Sequence, residues 1–201
     1  PRFPLCWRPD RWTVEGGADI GDHTIELAKF GPVLAVEPQP LPWACLGLNL
    51  AIRPAHYAWT TCRTALYSCV ARIDHAPGWE PDHPSNGYQC GDAGIWTQTF
   101  DGGDVRDPVG FFKIDAQGCD LRVLIGAEET IRRDRPIVLC EFEPTLAALH
   151  GDEAEDYRIW FRQHMYAYRG FLGGNLLGVP HERETEPYWR ALTDQGIELT
   201  T

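Results

Sequence analysis

The chain lacks the sequence features of membrane-spanning, exported and nucleic-acid-binding proteins. No apolar run approaches the roughly 20 residues that a membrane-spanning helix needs. Residues 1–10 lack the basic start and apolar stretch of a secretory signal, so we expect a cytoplasmic protein whose natural chain begins before Pro1. Basic residues are scarce, 18 against 29 acidic ones, and the net charge of −11 would repel a phosphate backbone. Nucleic acid is therefore not expected as a partner.

The cysteines give no sign of a metal site or a disulfide framework. There are seven, an odd number, and none forms a CxxC pair. Three of them, Cys45, Cys119 and Cys140, lie in segments expected to be buried, where a thiol behaves as a small apolar group. Irregular gaps separate the zinc-type residues of segment 69–90. We therefore expect reduced thiols and no metal.

The apolar pattern predicts a mostly parallel sheet covered by helices on both faces. Hydrophobic residues make up 43% of the 201 positions, enough for one globular α/β domain. Compact apolar runs alternate with segments of helical spacing, the pattern of repeated strand–helix units. Strands are predicted at 11–16, 33–36, 110–115 and 136–143, helices at 23–30, 41–52, 120–133 and 153–169, β-like segments at 56–66 and 67–74, and a hairpin at 171–179. A long loop is predicted over 75–108, with a short strand at 95–100.

A glycine turn followed by an acidic residue suggests a nucleoside site. Glu15 ends the first strand, glycines follow at 16, 17 and 21, and Glu37 ends the next strand 22 positions after Glu15. An acid at that spacing accepts hydrogen bonds from ribose hydroxyls in nucleotide-binding α/β folds. The glycine spacing is not GxGxxG, and a leading acid would repel a pyrophosphate. The pattern therefore favours the cationic, phosphate-free S-adenosylmethionine over NAD.

Several motifs resemble those of the FkbM family of methyltransferases, in the family's order. They are EGGADIGDHT (15–24), AVEP (35–38), FKIDAQGCD (112–120) and NLLGVP (175–180). The resemblance runs from about residue 12 to about residue 180 and leaves the predicted loop unmatched. It implies a Rossmann-like class I methyltransferase fold over a single domain, 1–201. It also implies S-adenosylmethionine-dependent O-methylation of a small-molecule or glycan acceptor.

Two positions depart from the family pattern. Glu15 stands where the family usually has Asp, which keeps the charge on a side chain one methylene longer. Gln117 stands where the family usually has Glu, which removes a charge and a proton acceptor. If that carboxylate has a chemical role, activity falls; if it only packs, Gln serves. The alternative to an enzyme is thus a catalytically silent domain used as a structural or interaction module.

The predicted site residues fall into two groups. For cofactor binding they are Glu15, Gly17, Asp19, Gly21 and Glu37. For catalysis they are Asp115, Glu141 and Lys113, because transfer to an alcohol needs positioning and a base for the hydroxyl proton. Each has a structural alternative: Asp19 and Asp115 could cap helices, Lys113 could form a salt bridge, and Glu141 could face water.

Overall fold

A seven-stranded sheet forms the centre of the structure. The computed structural model describes residues 8–53, 58–75, 88–90, 95–103, 105–170 and 174–184. The strands are β1 (Trp12–Gly16), β2 (Val33–Val36), β3 (Trp59–Cys62), β4 (Ala65–Leu66), β5 (Arg72–His75), β6 (Tyr88–Cys90), β7 (Ile95–Gln98), β8 (Val109–Ile114), β9 (Ile137–Glu141), β10 (Tyr166–Gly170) and β11 (Asn175–Pro180). The helices are α1 (Asp22–Leu27), α2 (Pro40–Ala51), α3 (Asp120–Ile125), α4 (Glu128–Asp134), α5 (Pro144–Ala147) and α6 (Ala154–Gln163), with 3₁₀ turns at Ala148–His150 and His181–Arg183.

The strand order places the carboxyl ends of β1, β2 and β8 side by side. The order is β10-β11-β9-β8-β1-β2-β3. β3, β2, β1, β8 and β9 pair in parallel, whereas β11 is antiparallel to both of its neighbours. The chain leaves β1 for β2 on one side and returns to β8 on the other. Such a reversal opens a crevice at the carboxyl ends of the strands, where open α/β sheets bind ligands.

Apolar side chains on both faces of the sheet hold the helices, because successive strand residues point to opposite faces. Ala35 packs in a cluster with Ile25 of α1 and Leu46 of α2. The neighbouring residue, Val36, belongs to the cluster that contains α3, α4 and α6. The helices therefore cover both faces, as predicted. No helix within the described ranges is long and apolar enough to cross a membrane.

A second, four-stranded sheet replaces part of the predicted loop. Its order is β4-β7-β5-β6, with β5 antiparallel to both neighbours. The prediction of irregular structure over 75–108 is wrong for residues 88–90, although the strand expected near 95–100 is present at 95–98. Residues 76–87, 91–94 and 104 lie outside the described part of the chain.

Two predicted helices are shorter than the periodicity suggested. The helix predicted over 120–133 is two helices, and a Cβ on the intervening Gly126 would lie 2.0 Å from the Tyr67 carbonyl oxygen. The helix predicted over 153–169 ends at Gln163. Met165 then adopts a φ of 57°, and the chain continues as β10, which pairs with β11. Tyr168 continues the helical spacing of Phe161 and His164 as well as it fits a strand, so spacing alone was not decisive.

Candidate cofactor site

A cavity of about 210 Å³ lies at the carboxyl ends of β1, β2 and β8. Leu66 and Ile73 of the second sheet form part of its wall. Three carboxylate residues line it, Asp19, Glu37 and Asp115, and among the described lining residues there is no lysine or arginine. The remaining lining residues are Gly16, Gly17, Val36, Pro38, Gln39, Thr64, Ala65, Ala116, Gln117, Cys119 and Val123. Such a lining attracts a cationic ligand and repels a phosphate.

The glycine turn after β1 is packed against both neighbouring strands. Gly17 and Ala18 donate backbone hydrogen bonds to the carbonyl oxygen of Val36, over 2.9 and 3.0 Å. Gly17 has a φ of +78°, and a Cβ there would lie 1.9 Å from the carbonyl oxygen of Asp115. Only glycine satisfies both the backbone angle and the space. Gly21, also predicted to bind the cofactor, turns the chain into α1 with a φ of +93°, and a Cβ there would lie 2.6 Å from Leu46 Cδ1.

Two backbone N–H groups fix the Glu37 carboxylate beside the cavity. Asp19 N donates to Oε2 over 2.9 Å, and Gln39 N donates to Oε1 over 2.8 Å. The residue is only 4% exposed. Burial raises the pKa of Glu37, and the two backbone hydrogen bonds oppose that rise. Each carboxylate oxygen keeps further acceptor capacity, which is what a pair of ribose hydroxyls requires.

Glu15 is buried behind the turn, away from the cavity lining. Its Oε2 accepts a hydrogen bond from Thr24 Oγ1 over 2.5 Å, and its Oε1 lies 3.4 Å from Lys113 Nζ. Burial raises the pKa of Glu15, and the Lys113 charge acts in the opposite direction. The carboxylate therefore links β1 to α1 and β8. This position favours support of the glycine turn over direct contact with a ligand.

Lys113 lies near the end of β8, and Asp115 directly follows the last residue of that strand. Lys113 Nζ is 3.8 Å from Asp115 Oδ2, and Gln117 Nε2 donates to Asp115 Oδ1 over 3.1 Å. The Asp115 side chain is 38% exposed, while Lys113 is buried between Glu15 and Asp115. Asp115 is thus the predicted catalytic residue that lines the cavity, and Lys113 is a buried charge that neutralises its neighbours.

Two further acids lie near Asp115, namely Asp120 at the start of α3 and Glu141 at the end of β9. Asp120 is fully buried, and its carboxylate accepts hydrogen bonds from Glu141 N over 2.9 Å and Ala116 N over 3.3 Å. Burial, with the nearby negative charges of Asp115 and Glu141, raises the pKa of Asp120 to about 7. Burial raises the pKa of Glu141 too, and the charge of Asp115 adds to the rise.

Sequence analysis missed Asp120 because an acid at a helix start usually caps the helix. It also missed a group behind the cavity, formed by Cys119, His150 and Tyr67. Nothing in the spacing of residues 67, 119 and 150 indicated that they meet. Their meeting depends on how three separate segments pack together, the one after β4, the one before α3 and the 3₁₀ turn after α5.

The strand order and the acid-lined crevice define a class I, Rossmann-like methyltransferase domain. Residues 15–168 match the Methyltransferase FkbM domain. The chain belongs to the FkbM methyltransferase family. This membership confirms the predicted family and fold, and it supports the predicted enzyme class and S-adenosylmethionine as the cofactor. The eight predicted site residues stay predictions.

Two solved structures share the fold. The methyltransferase FkbM of Methylobacillus flagellatus KT superposes with a TM-score of 0.57 at 18% identity, over 85% of this chain. The present chain spans only 44% of that protein. A Streptococcus mutans protein assigned as a methyltransferase, solved in complex with SAH, gives a TM-score of 0.51 at 9% identity, over 87% of this chain and 91% of that one. No curated protein matches the chain.

Proposed function

We propose that the chain is a single-domain methyltransferase that transfers a methyl group from S-adenosylmethionine to a hydroxyl group on a sugar or other small molecule. The observation that carries the proposal is the Glu37 carboxylate, held by two backbone N–H groups at the edge of an acid-lined cavity. The Streptococcus mutans neighbour, which holds SAH on the same fold, supports the assignment of the cavity.

At the cofactor end, Glu37 accepts hydrogen bonds from the two ribose hydroxyls. Gly17 lets the backbone approach the ligand, and Asp19 and Asp115 place negative charge around it. The bound cofactor supplies a methyl group on a positively charged sulfur. Glu15 acts through Thr24 and Lys113 and keeps the glycine turn in place. Gly21 sets the start of α1.

At the acceptor end, Asp115 is the base that takes the hydroxyl proton. Its side chain is 38% exposed, whereas that of Lys113 is 9% exposed, and Gln117 orients it by donating to Oδ1. Lys113 holds the other oxygen, Oδ2. Glu141 is the other predicted acid at this edge, and burial together with the charge of Asp115 raises its pKa, so it is the second candidate for the base.

Calorimetric titration tests the cofactor end. We expect the folded chain to bind S-adenosylmethionine and S-adenosylhomocysteine, and we expect the Glu37→Ala variant to bind both at least about tenfold more weakly, or about 1.4 kcal/mol. Glu26→Ala is the matched control, because Glu26 is an exposed acid on α1 that pairs with Lys29 just after the helix. No binding by folded wild-type protein would contradict the proposal.

Turnover on a panel of hydroxylated acceptors tests the acceptor end. Asp115→Asn keeps the shape and the hydrogen bond from Gln117, so cofactor binding is expected to weaken less than in Glu37→Ala while kcat falls about 10²- to 10⁴-fold. Cofactor binding without turnover on any acceptor would instead support the silent module. Gln117 motivates that alternative, because it stands where the family usually has Glu. A Gln117→Glu variant that gains activity would show that the missing carboxylate at this position causes the lack of turnover.

A further inference from the structure

A thiol, an imidazole and a phenol lie in a row beside the cofactor cavity. Cys119 Sγ is 3.2 Å from His150 Nε2, and His150 Nδ1 is 3.0 Å from the Tyr67 hydroxyl. Cys119 is only 2% exposed, but it lines the cavity. The proposed methyl transfer uses none of these three residues. Their order is that of an activated nucleophile: a thiol, a proton acceptor, and a group that orients the acceptor.

Two sets of contacts position His150, one to its backbone and one to its ring. Arg122 Nη2 donates to the carbonyl oxygen of His150 over 2.7 Å. Arg122 Nε also donates to Asp152 Oδ2 over 2.8 Å, which holds the guanidinium in place. Tyr67 is buried, and its ring lies 5.7 Å from the His150 ring. The Arg122 bond thus holds the His150 backbone, and the Tyr67 contact holds the ring, whose Nε2 atom faces the Cys119 sulfur.

Proton transfer along this row would generate the reactive form of the thiol. When His150 Nδ1–H donates to the Tyr67 oxygen, Nε2 carries the lone pair and accepts the thiol proton. The thiolate, not the thiol, is the nucleophile. We propose that Cys119 is a modification site for small, uncharged, soft electrophiles that enter the cofactor cavity, with His150 as its proton acceptor and Tyr67 as the residue that positions His150.

The cavity chemistry selects the class of electrophile. Asp19, Glu37 and Asp115 repel anions, and the wall near Cys119 is apolar, with Ala65 and Ile73 in the same cluster as the thiol. With iodoacetamide, the sulfur electron pair forms a new S–C bond and the C–I bond breaks. Iodide leaves with its bonding electrons, and the thiol proton passes to His150 Nε2 and then to water. The product is a thioether inside the cavity.

Peptide-resolved mass spectrometry of iodoacetamide labelling tests the proposal in the folded full chain. Cys119 is expected to label in the native protein and at least about tenfold more slowly in His150→Gln, which keeps a polar side chain but cannot take the proton. Tyr67→Phe should slow labelling to a smaller extent, and it serves as the second variant if His150→Gln does not fold. Cys69, which is exposed, is the internal reference whose rate neither variant changes. Cys140, which is fully buried and outside the cavity lining, should stay unlabelled.

Equal labelling of Cys119 in wild type and both variants would overturn the role of His150. An unlabelled Cys119 beside a fully labelled Cys69 would overturn the site itself. Labelling without any ligand does not depend on the proposed methyltransferase function. Labelling in the presence of S-adenosylhomocysteine separates a failure of this proposal from a failure of the proposed function. If S-adenosylhomocysteine binds and slows the labelling of Cys119, the thiol lies in the cofactor cavity. If it binds and leaves the labelling rate unchanged, that placement is wrong. If S-adenosylhomocysteine does not bind while His150→Gln still slows the labelling of Cys119, the result counts against the proposed function alone.

Discussion

Gly17 combines two constraints that usually occur apart. Its φ of +78° strains any residue with a Cβ, and a Cβ built there would lie 1.9 Å from the Asp115 carbonyl oxygen. Backbone cannot give way as a flexible side chain can, so the substitution would push β1 and β8 apart at the cavity. The glycine turn therefore has a steric role in addition to any contact with a ligand.

Gly17→Ala is expected to lower the free energy of unfolding by about 3 kcal/mol or more, through strain and overpacking together. Gly151→Ala is the matched control, because Gly151 has a similar φ of +75° but nothing within 4 Å of the added Cβ. It should lose only about 1 to 2 kcal/mol. Urea denaturation of the two variants measures the difference. Equal losses would show that the contact with Asp115 relaxes without penalty.

Glu15 is one methylene longer than the family's usual Asp, and its carboxylate is fully buried. The longer side chain places its carboxylate against Thr24 of α1 while it stays within 3.4 Å of Lys113. A buried acid is tolerated only when such partners compensate for its desolvation. The departure from the family's Asp thus has a local structural explanation, independent of the ligand.

At the scale of elements, Arg135 determines how the chain passes from α6 to β10. Its Nη1 donates to the His164 carbonyl oxygen over 2.8 Å, and its Nη2 donates to the Met165 carbonyl oxygen over 3.0 Å. The guanidinium also lies 4.7 Å from the Tyr166 ring centre and pairs with Glu182. These bonds satisfy carbonyl groups that the end of a helix leaves without partners.

Replacing Arg135 by Lys is expected to reduce the free energy of unfolding by about 1 to 2 kcal/mol, because an ammonium group cannot reproduce the planar fork. Arg132→Lys on the same helix segment is the control, since its exposed side chain pairs only with Glu128 among the described residues. That change should stay within about 0.5 kcal/mol. Chemical denaturation compares the two. A loss at Arg135 no larger than at Arg132 would remove the capping role.

For the whole molecule, buried carboxyl groups set how stability depends on pH. Burial is the largest cause of a raised pKa at five acids, namely Glu15, Glu37, Asp120, Glu141 and Asp152. An acid with a raised pKa holds its proton longer in the folded state than in the unfolded one. The free energy of unfolding therefore falls as the pH rises from the unfolded pKa, about 4, through the folded pKa.

Asp120 should contribute most visibly to this fall in stability, because its folded pKa of about 7 lies within the pH range that can be measured. We expect the Tm of the wild type to fall between pH 5 and pH 8, and to fall less in Asp120→Asn, which has no proton to lose. Differential scanning calorimetry across that range measures both slopes.

Asp134→Asn serves as the comparison for the pH slopes. The hydrogen bond from Arg133 helps to lower the pKa of Asp134, although burial opposes it. Asp134 is therefore already ionised above pH 5 in both states. This variant should change the Tm but not its slope with pH. A slope in Asp120→Asn that equals the wild-type slope would rule out Asp120 as the titrating group.

Much of the central fold was predictable from sequence because its signals are local. The run Val33–Val36 is a strand at the predicted residues, and the helix predicted at 41–52 occupies Pro40–Ala51. The spacing from Glu15 to Glu37 placed both acids at the ends of adjacent parallel strands. A fully apolar run of four residues and a glycine-rich turn leave few alternative structures.

Where the sequence prediction was wrong, contacts distant along the chain decided the outcome. The helix predicted over 120–133 divides at Gly126, which contacts the Tyr67 backbone. The helix predicted over 153–169 ends where Arg135 caps it. The three-strand pairing around β5 was unforeseen because pairing partners between short strands have no local signal.

The sequence by itself determined the family, the order of strands and helices around the glycine turn, and the position of Glu37 at the end of the strand after that turn. Tertiary structure alone decided that Glu15 lies behind the cavity while Asp115 lines it. It also decided that Asp120 is buried against β9 and that Cys119 meets His150. The physical reason is the same in each case. Burial and charge proximity depend on which side chains from separate segments converge, and spacing along the chain does not record that.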